Sequence, residues 1–268
     1  MSFKLITLQE KSGSIIDSAT SKYWNDESIE KKKVFNVIDL GFDKIESSDK
    51  YHALLDSIVK VMKKHGIQAK DSRILSLASG SCWIESQIFK NNDFKSLTNV
   101  DISHHRIHKL APFTMNHYGV TKNVNFMLGS VFDMDVSETK YDVIFMSQAF
   151  HHMDEPIRLL RILKKMLNEN GSIIIVGEHF FSNYKYHKQA LKHFIKYIIN
   201  WRDYRMLSNF YPSWQDLFKP DYDKGDIHWS SSEYNFIFKK SGFSVYHQET
   251  HRSNLFQSFV LKCNESDD

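Results

Sequence analysis

Four histidines stand where a proton could be taken from a bound molecule. His151 and His152 are adjacent and follow the apolar run Val143-Ile144-Phe145-Met146. His179 follows Ile173-Ile174-Ile175-Val176, and His228 precedes an amphipathic stretch that opens near Ser230. Imidazole is the side chain whose ordinary pKa lies closest to neutrality, so each is a candidate general base. His152 is the favoured one, with His151 and His228 as alternates. Glu178 and Asp154 would complete a set of metal-binding types, but the spacing matches no metal signature, and no metal is expected. A second group lies earlier. Ala78-Ser79-Gly80-Ser81 separates a short apolar run from a helix-forming stretch that starts at Trp83. Small residues at such a corner let a ligand approach the backbone, beside the unpaired N–H groups of a helix start. Asp101 follows Gly80 by about twenty residues, at the end of the next apolar run, where a carboxylate can accept hydrogen bonds from a ribose.

Such groups need a frame that brings them to one edge. Residues 74–77, 97–100, 124–128, 141–146 and 172–176 read as strands. Helical patterns at 83–90, 104–118 and 156–167 alternate with them, and 168–171 reads as a turn. That alternation predicts an α/β fold with a parallel sheet covered on both faces, and ligands at the carboxyl ends of its strands. Residues 1–70 read as a helical cap, with helical patterns at 15–38 and 48–64 and Gly66 as a stop. Tyr23 and Trp24 lie within it; in families of this kind such a cap often covers the bound ligand, which makes them candidate lid residues. Residues 180–225 form an aromatic and basic insertion with a helical pattern at 187–206. Tyr184, Tyr186, Tyr197, Trp201, Tyr204, Tyr211 and Trp214, with Arg202 and Arg205, suit a substrate lid; a subunit interface in a homodimer, or a small helical core, is the alternative. Residues 230–240 read as a last helix, and 243–248 and 256–263 as the last strands.

Composition narrows the classes. The 268 residues can bury a sizeable core, 14% of them are aromatic, and the net charge of +3 is too mild to imply a nucleic-acid partner. No apolar run is long enough to span a bilayer, and the first residues lack the apolar core of a signal peptide. Two cysteines without a CxxC partner suit a reducing cytoplasm.

The run Ile74-Leu75-Ser76-Leu77-Ala78-Ser79-Gly80-Ser81-Cys82 resembles motif I of the class I, Rossmann-like S-adenosylmethionine (SAM) dependent methyltransferases, whose pattern is apolar-apolar-acidic-apolar-Gly-x-Gly-x-Gly. Ser76 occupies the acidic place, and Ala78, Gly80 and Cys82 the glycine places. Lys140-Tyr141-Asp142-Val143-Ile144-Phe145-Met146-Ser147-Gln148 looks like the family's fourth strand and its exit. Leu160 to Met166 looks like the helix that leads to its Leu-Lys-Pro-Gly-Gly turn, which here reads Leu167-Asn168-Glu169-Asn170-Gly171.

The resemblance covers about residues 72–180 and implies a seven-stranded sheet that ends in an antiparallel hairpin, within a SAM-binding domain spanning 71–268. It implies that Ala78, Ser79, Gly80 and Ser81 run beside the methionine part of SAM, that Asp101 binds the ribose hydroxyls and that Ile102 packs on the adenine. Val131 and Phe132 would flank the other side of that ring. Ser130 stands where an aspartate often meets the adenine amino group, Ser147 and Gln148 would lie near the transferred methyl, and Tyr23 would cover the cofactor. The implied activity is methyl transfer to a small-molecule acceptor, at oxygen of a sugar or biosynthetic intermediate. Transfer to nitrogen or carbon of a metabolite, or a non-catalytic binding or assembly role on the same fold, are the alternatives. Base methylation of nucleic acid is disfavoured, because Ser147-Gln148-Ala149-Phe150 stands in place of an Asn/Asp-Pro-Pro-aromatic motif.

Overall fold

The computed structural model describes residues 3–8, 24, 42–47, 49–91, 93–136, 139–181, 191, 227, 229–251 and 256–264. The strands are β1 (Lys4–Thr7), β2 (Arg73–Leu77), β3 (Ser96–Asp101), β4 (Val124–Leu128), β5 (Tyr141–Ser147), β6 (Leu167–Phe181), β7 (Trp229–Ser230), β8 (Phe243–His251) and β9 (Phe256–Cys263). The helices are α1 (Phe42–Glu46), α2 (Asp49–Lys64), α3 (Trp83–Ile88), α4 (Ala111–His117), α5 (Pro156–Met166) and α6 (Ser231–Lys240). A π-helical turn, Arg106–Leu110, leads directly into α4.

The sheet runs β1-β4-β3-β2-β5-β6-β9-β8, with the two-residue β7 pairing to β6. β9 is antiparallel to β6 and to β8, whereas the pairings among β1 to β6 are parallel. β2 lies between β3 and β5, so strand order reverses beside it and a crevice opens over its carboxyl end.

Alternation along the strands divides the core in two. Leu75, Leu77, Ile173 and Ile175 pack with residues of α5 and α6 on one face. Ile74, Ile174 and Val176 pack with α2, α3 and α4 on the other. Strands buried on both faces read as continuous apolar runs, which is why they stand out in the sequence.

Among the described residues there are nine strands where seven were expected. Both additions lie where hydrophobic pattern is weak. β1 pairs through Lys4↔Asn125 to Thr7↔Leu128, but it is an edge strand with mostly exposed side chains, so it carries no alternation. It also places residues 4–7 of the expected helical cap in the sheet. β7 is two residues long. The turn expected at 168–171 is instead a bulge inside one long β6: Leu167 pairs with Tyr141, and the next pair is Ser172 with Val143. Of the expected cap helices, α2 covers the second, while the pattern at 15–38, apart from Trp24, lies outside the described residues. So does most of the 180–225 insertion. Among the described residues, no helix is long and apolar enough to cross a membrane.

Candidate active site

Parallel pairing brings the exits of β2, β3, β4 and β5 to one edge. The loop after β2 holds a particular backbone. Ala78, Gly80 and Cys82 have φ of 49°, 56° and 58°, so all three motif I glycine places are left-handed although only one is glycine. A side chain in this region costs about 1–2 kcal/mol relative to ordinary backbone. The loop is held by Ser79 N–H to Val100 O (3.1 Å) and by Cys82 N–H to Ser79 O (2.9 Å). Cys82 and Trp83 turn away from the crevice. Both are buried in the core cluster beneath α3 and α4, and the Trp83 indole N–H donates to the Tyr118 hydroxyl at 3.1 Å. Burial pushes the Cys82 thiol pKa well up, which leaves it a poor nucleophile near neutral pH. α3 has only six residues, so it is a poorer source of dipole than the helix of 83–90 expected from the sequence.

Asp101 ends β3 and is 5% exposed. Its Oδ2 accepts the Gly80 N–H (2.8 Å) and its Oδ1 the Ser103 N–H (2.9 Å), so the carboxylate fastens the β2 loop to the β3 tip. Each oxygen keeps further acceptor capacity. Ile102, next along, is 36% exposed, an apolar side chain left at the crevice rim. Across the rim, the Ser130 hydroxyl accepts the Phe132 N–H (3.2 Å) and so caps the 3-10 turn Val131–Asp133. Val131 is buried, and the face of Phe132 meets the Arg158 guanidinium at 5.3 Å.

At the exit of β5, Gln148 is left-handed (φ 50°), and its N–H donates to Val176 O at 2.8 Å. The neighbouring strand accommodates it with Gly177, where an added Cβ would lie 2.7 Å from Gln148 Cγ. The Ser147 hydroxyl is buried without a hydrogen-bond partner among the described residues. Glu178, wholly buried, organises the next turn of chain. Its carboxylate accepts N–H bonds from Ala149 (3.1 Å), Phe150 (3.1 Å) and His151 (3.0 Å), and lies 2.8 Å from His151 Nδ1. His151 is therefore fixed in orientation and 4% exposed, whereas His152 is half-buried, with its ring 4.1 Å from that of His151. The Trp24 ring meets the His152 ring edge-on at 5.3 Å. Tyr23 and His228 lie outside the described residues. Among the described residues no group of three His, Cys, Asp or Glu side chains is placed to hold a metal.

Three residues of this site escape a reading of the sequence. Glu85, on α3, accepts a 2.6 Å hydrogen bond from the Ser76 hydroxyl beneath the β2 loop, so the acid absent at position 76 is supplied nine residues later. Glu178 reads in the sequence as no more than a candidate metal ligand. Arg106 sits at the start of the helix after Asp101, and no periodicity marks it.

A family model described as "Methyltransferase domain" matches residues 48–248, more than half of the chain. The chain belongs to the class I SAM-dependent methyltransferases. Solved structures agree at the level of fold. Magnesium protoporphyrin IX methyltransferase (ChlM) of Synechocystis PCC 6803, with bound SAH, aligns with a TM-score of 0.58 at 12% identity, covering 90% of this chain and 95% of that one. The mitomycin 7-O-methyltransferase MmcR aligns with a TM-score of 0.51 at 12% identity, covering 72% of this chain and 49% of that one. A curated relative, a tRNA U34 carboxymethyltransferase of Campylobacter concisus (strain 13826), is 30% identical over 83 residues, or 31% of this chain and 28% of that protein. The chain thus spans about half of MmcR and under a third of the curated relative. As a methyltransferase of this class it uses SAM as cofactor. The crevice fits that molecule: a loop without a Cβ at Gly80, a buried carboxylate at the β3 tip, an apolar rim at Ile102 and a buried hydroxyl at Ser147.

Proposed function

We propose that this methyltransferase acts on a hydroxyl group of a small molecule, with His152 as general base. The observation that carries the reading is the histidine pair at the exit of β5, one ring anchored to a buried carboxylate and the other half-exposed at the same edge as the β2 loop. A hydroxyl must lose its proton as it attacks, and an imidazole near neutrality is suited to take it. Glu178 holds His151, His151 backs the ring of His152, and the Trp24 ring packs edge-on to it. When bound, SAM supplies a methyl group on a sulfonium that is already a good leaving group. The chain's own task is to align the acceptor and receive its proton. Ala78 to Ser81 would run along the methionine part, Asp101 would take the ribose hydroxyls, Ile102, Val131 and Phe132 would enclose the adenine near Ser130, and Ser147 and Gln148 would border the methyl group.

The small-molecule acceptor is favoured by the O-methyltransferase named among the structural neighbours and by the mild net charge. The tRNA-modifying relative supports the competing acceptor. Incubation with methyl-labelled SAM, a panel of hydroxylated metabolites and bulk tRNA decides between them. Label is expected in a small molecule; label in tRNA alone refutes the proposal. On the labelled small molecule, His152→Ala should lower turnover about 100- to 10,000-fold while SAH affinity stays nearly unchanged. Lost SAH binding in that variant would remove His152 from the base's role.

A further inference from the structure

Two histidines outside the candidate site meet at the edge of the sheet. His65 closes α2: its N–H donates to Val61 O at 3.1 Å, and Gly66, left-handed at φ 62°, turns the chain away with its N–H on Lys63 O at 3.3 Å. His247 lies on β8, the last strand in the sheet order. The two rings are 4.7 Å apart and tilted by 53°. Tyr246 stands edge-on to the His65 ring at 5.1 Å, and Lys262 of β9 lies 4.7 Å over the Tyr246 ring. Nε2 of each histidine is buried, with no hydrogen-bond partner among the described residues.

Such a pair packs well only while it is neutral. A proton on either ring places charge on a group withdrawn from water, and a second proton sets two cations side by side. The groups that act on His65 are His247 from β8, Lys64 from the end of its own helix and Lys262 from β9, each a cation when charged. Burial first, and then these three charges, hold its pKa below the ordinary 6.5, although the carbonyl end of α2 favours a cation there. His247 has Glu249 on its own strand, with Oε2 3.5 Å from Nε2, so a proton taken up by His247 has a carboxylate beside it and leaves a cation facing His65. Lys60 of α2 meets the same carboxylate at 3.6 Å, but its side chain is 71% exposed, and so open an ion pair holds the helix weakly. Because the folded pKa of His65 is held low, the contact is at full strength above the unfolded value and is lost as pH falls through the folded one. α2 also carries Leu54, whose Cδ1 lies 3.2 Å from where a Cβ of Gly177 would stand, next to Gln148 at the exit of β5.

We propose that His65 and His247 form an acid-released clasp, which fastens α2, and with it the Leu54 side of the crevice, to the β8–β9 hairpin. Ring-proton NMR on the full chain follows the histidines, and hydrogen exchange corrected for intrinsic rates follows α2. In the wild type His65 should titrate below 6.5, and it should shift upward in His247→Phe, which keeps a ring and removes the charge. Between about pH 7.5 and about pH 5, exchange across residues 50–64 should quicken about five-fold or more in the wild type and stay within about two-fold in His247→Phe. His247→Lys fixes a charge against His65 and should show the fast exchange already at the higher pH, with an unchanged far-UV spectrum; should that variant fail to fold, His247→Phe decides alone. A His65 titration indifferent to His247→Phe, an exchange rate as sensitive to acid in that variant as in the wild type, or a change confined to residues 61–64 overturns the proposal.

Discussion

Replacing Glu85 by Gln should stabilise the protein, and by an amount that depends on pH. Glu85 is 3% exposed and hydrogen-bonded to Ser76. Desolvation by burial, opposed by the Ser76 hydrogen bond and reinforced by the nearby Asp101 charge, pushes its pKa up from 4.5 to about 7. A carboxyl whose folded pKa is raised contributes its full stability below the unfolded pKa and loses it as pH rises through the folded one. Below pH 4.5 both states hold the proton. Between 4.5 and about 7 the unfolded chain releases it while the folded chain keeps it, so folding weakens steadily. Above that range the penalty is constant, and at about 1.36 kcal/mol per unit the shift corresponds to about 3 kcal/mol. Glutamine is close to isosteric, keeps an oxygen for the Ser76 hydroxyl and has no proton to lose. Urea unfolding of both proteins at about pH 5 and pH 8 isolates this group, because every other titration cancels in the difference. Glu85→Gln should be close to neutral at the lower pH and more stable by about 3 kcal/mol at the higher. A difference that does not change with pH, or a variant weaker in the alkaline sample, would mean that Glu85 is already ionised in the fold at about pH 5, and the reasoning fails.

Two more outcomes concern the β2 loop. Ala78→Gly should raise stability by about 0.5–1 kcal/mol, the relief of a left-handed alanine less the entropy of glycine; Cys82→Gly relieves similar strain but empties a buried core position at a cost of about 1–2 kcal/mol, so it should show no gain. Urea midpoints check both, and equal gains would refute the account of the Cys82 side chain. Asp101→Asn retains one oxygen where two accept the Gly80 and Ser103 N–H groups, so it should cost about 1–3 kcal/mol of stability and weaken SAH binding by calorimetry; unchanged values for both would detach Asp101 from the loop.

The legibility of each element depends on where its signal resides. β2, β3, β5 and β6 are buried on both faces, so their apolar runs announce a parallel sheet, and the helices between them bury one stripe each. β1 buries almost nothing and is held by backbone pairing to β4, which any side chains permit, so no pattern betrays it. The site divides in the same way. A loop recognised by its glycines is really a set of torsion angles, and this chain keeps the angles at 78, 80 and 82 while changing two of the letters. The missing acid at Ser76 is likewise a change of letter with its chemistry retained, since Glu85 brings a carboxyl to the same hydroxyl from the next helix. Glu178 acts across strands, through its contact with His151 at a sequence separation of 27 residues. Local spacing carries no trace of such pairs. The degenerate letters of motif I therefore do not argue for a lost site: a chain that had abandoned the crevice would have no reason to keep two strained left-handed side chains and a buried carboxyl beneath them.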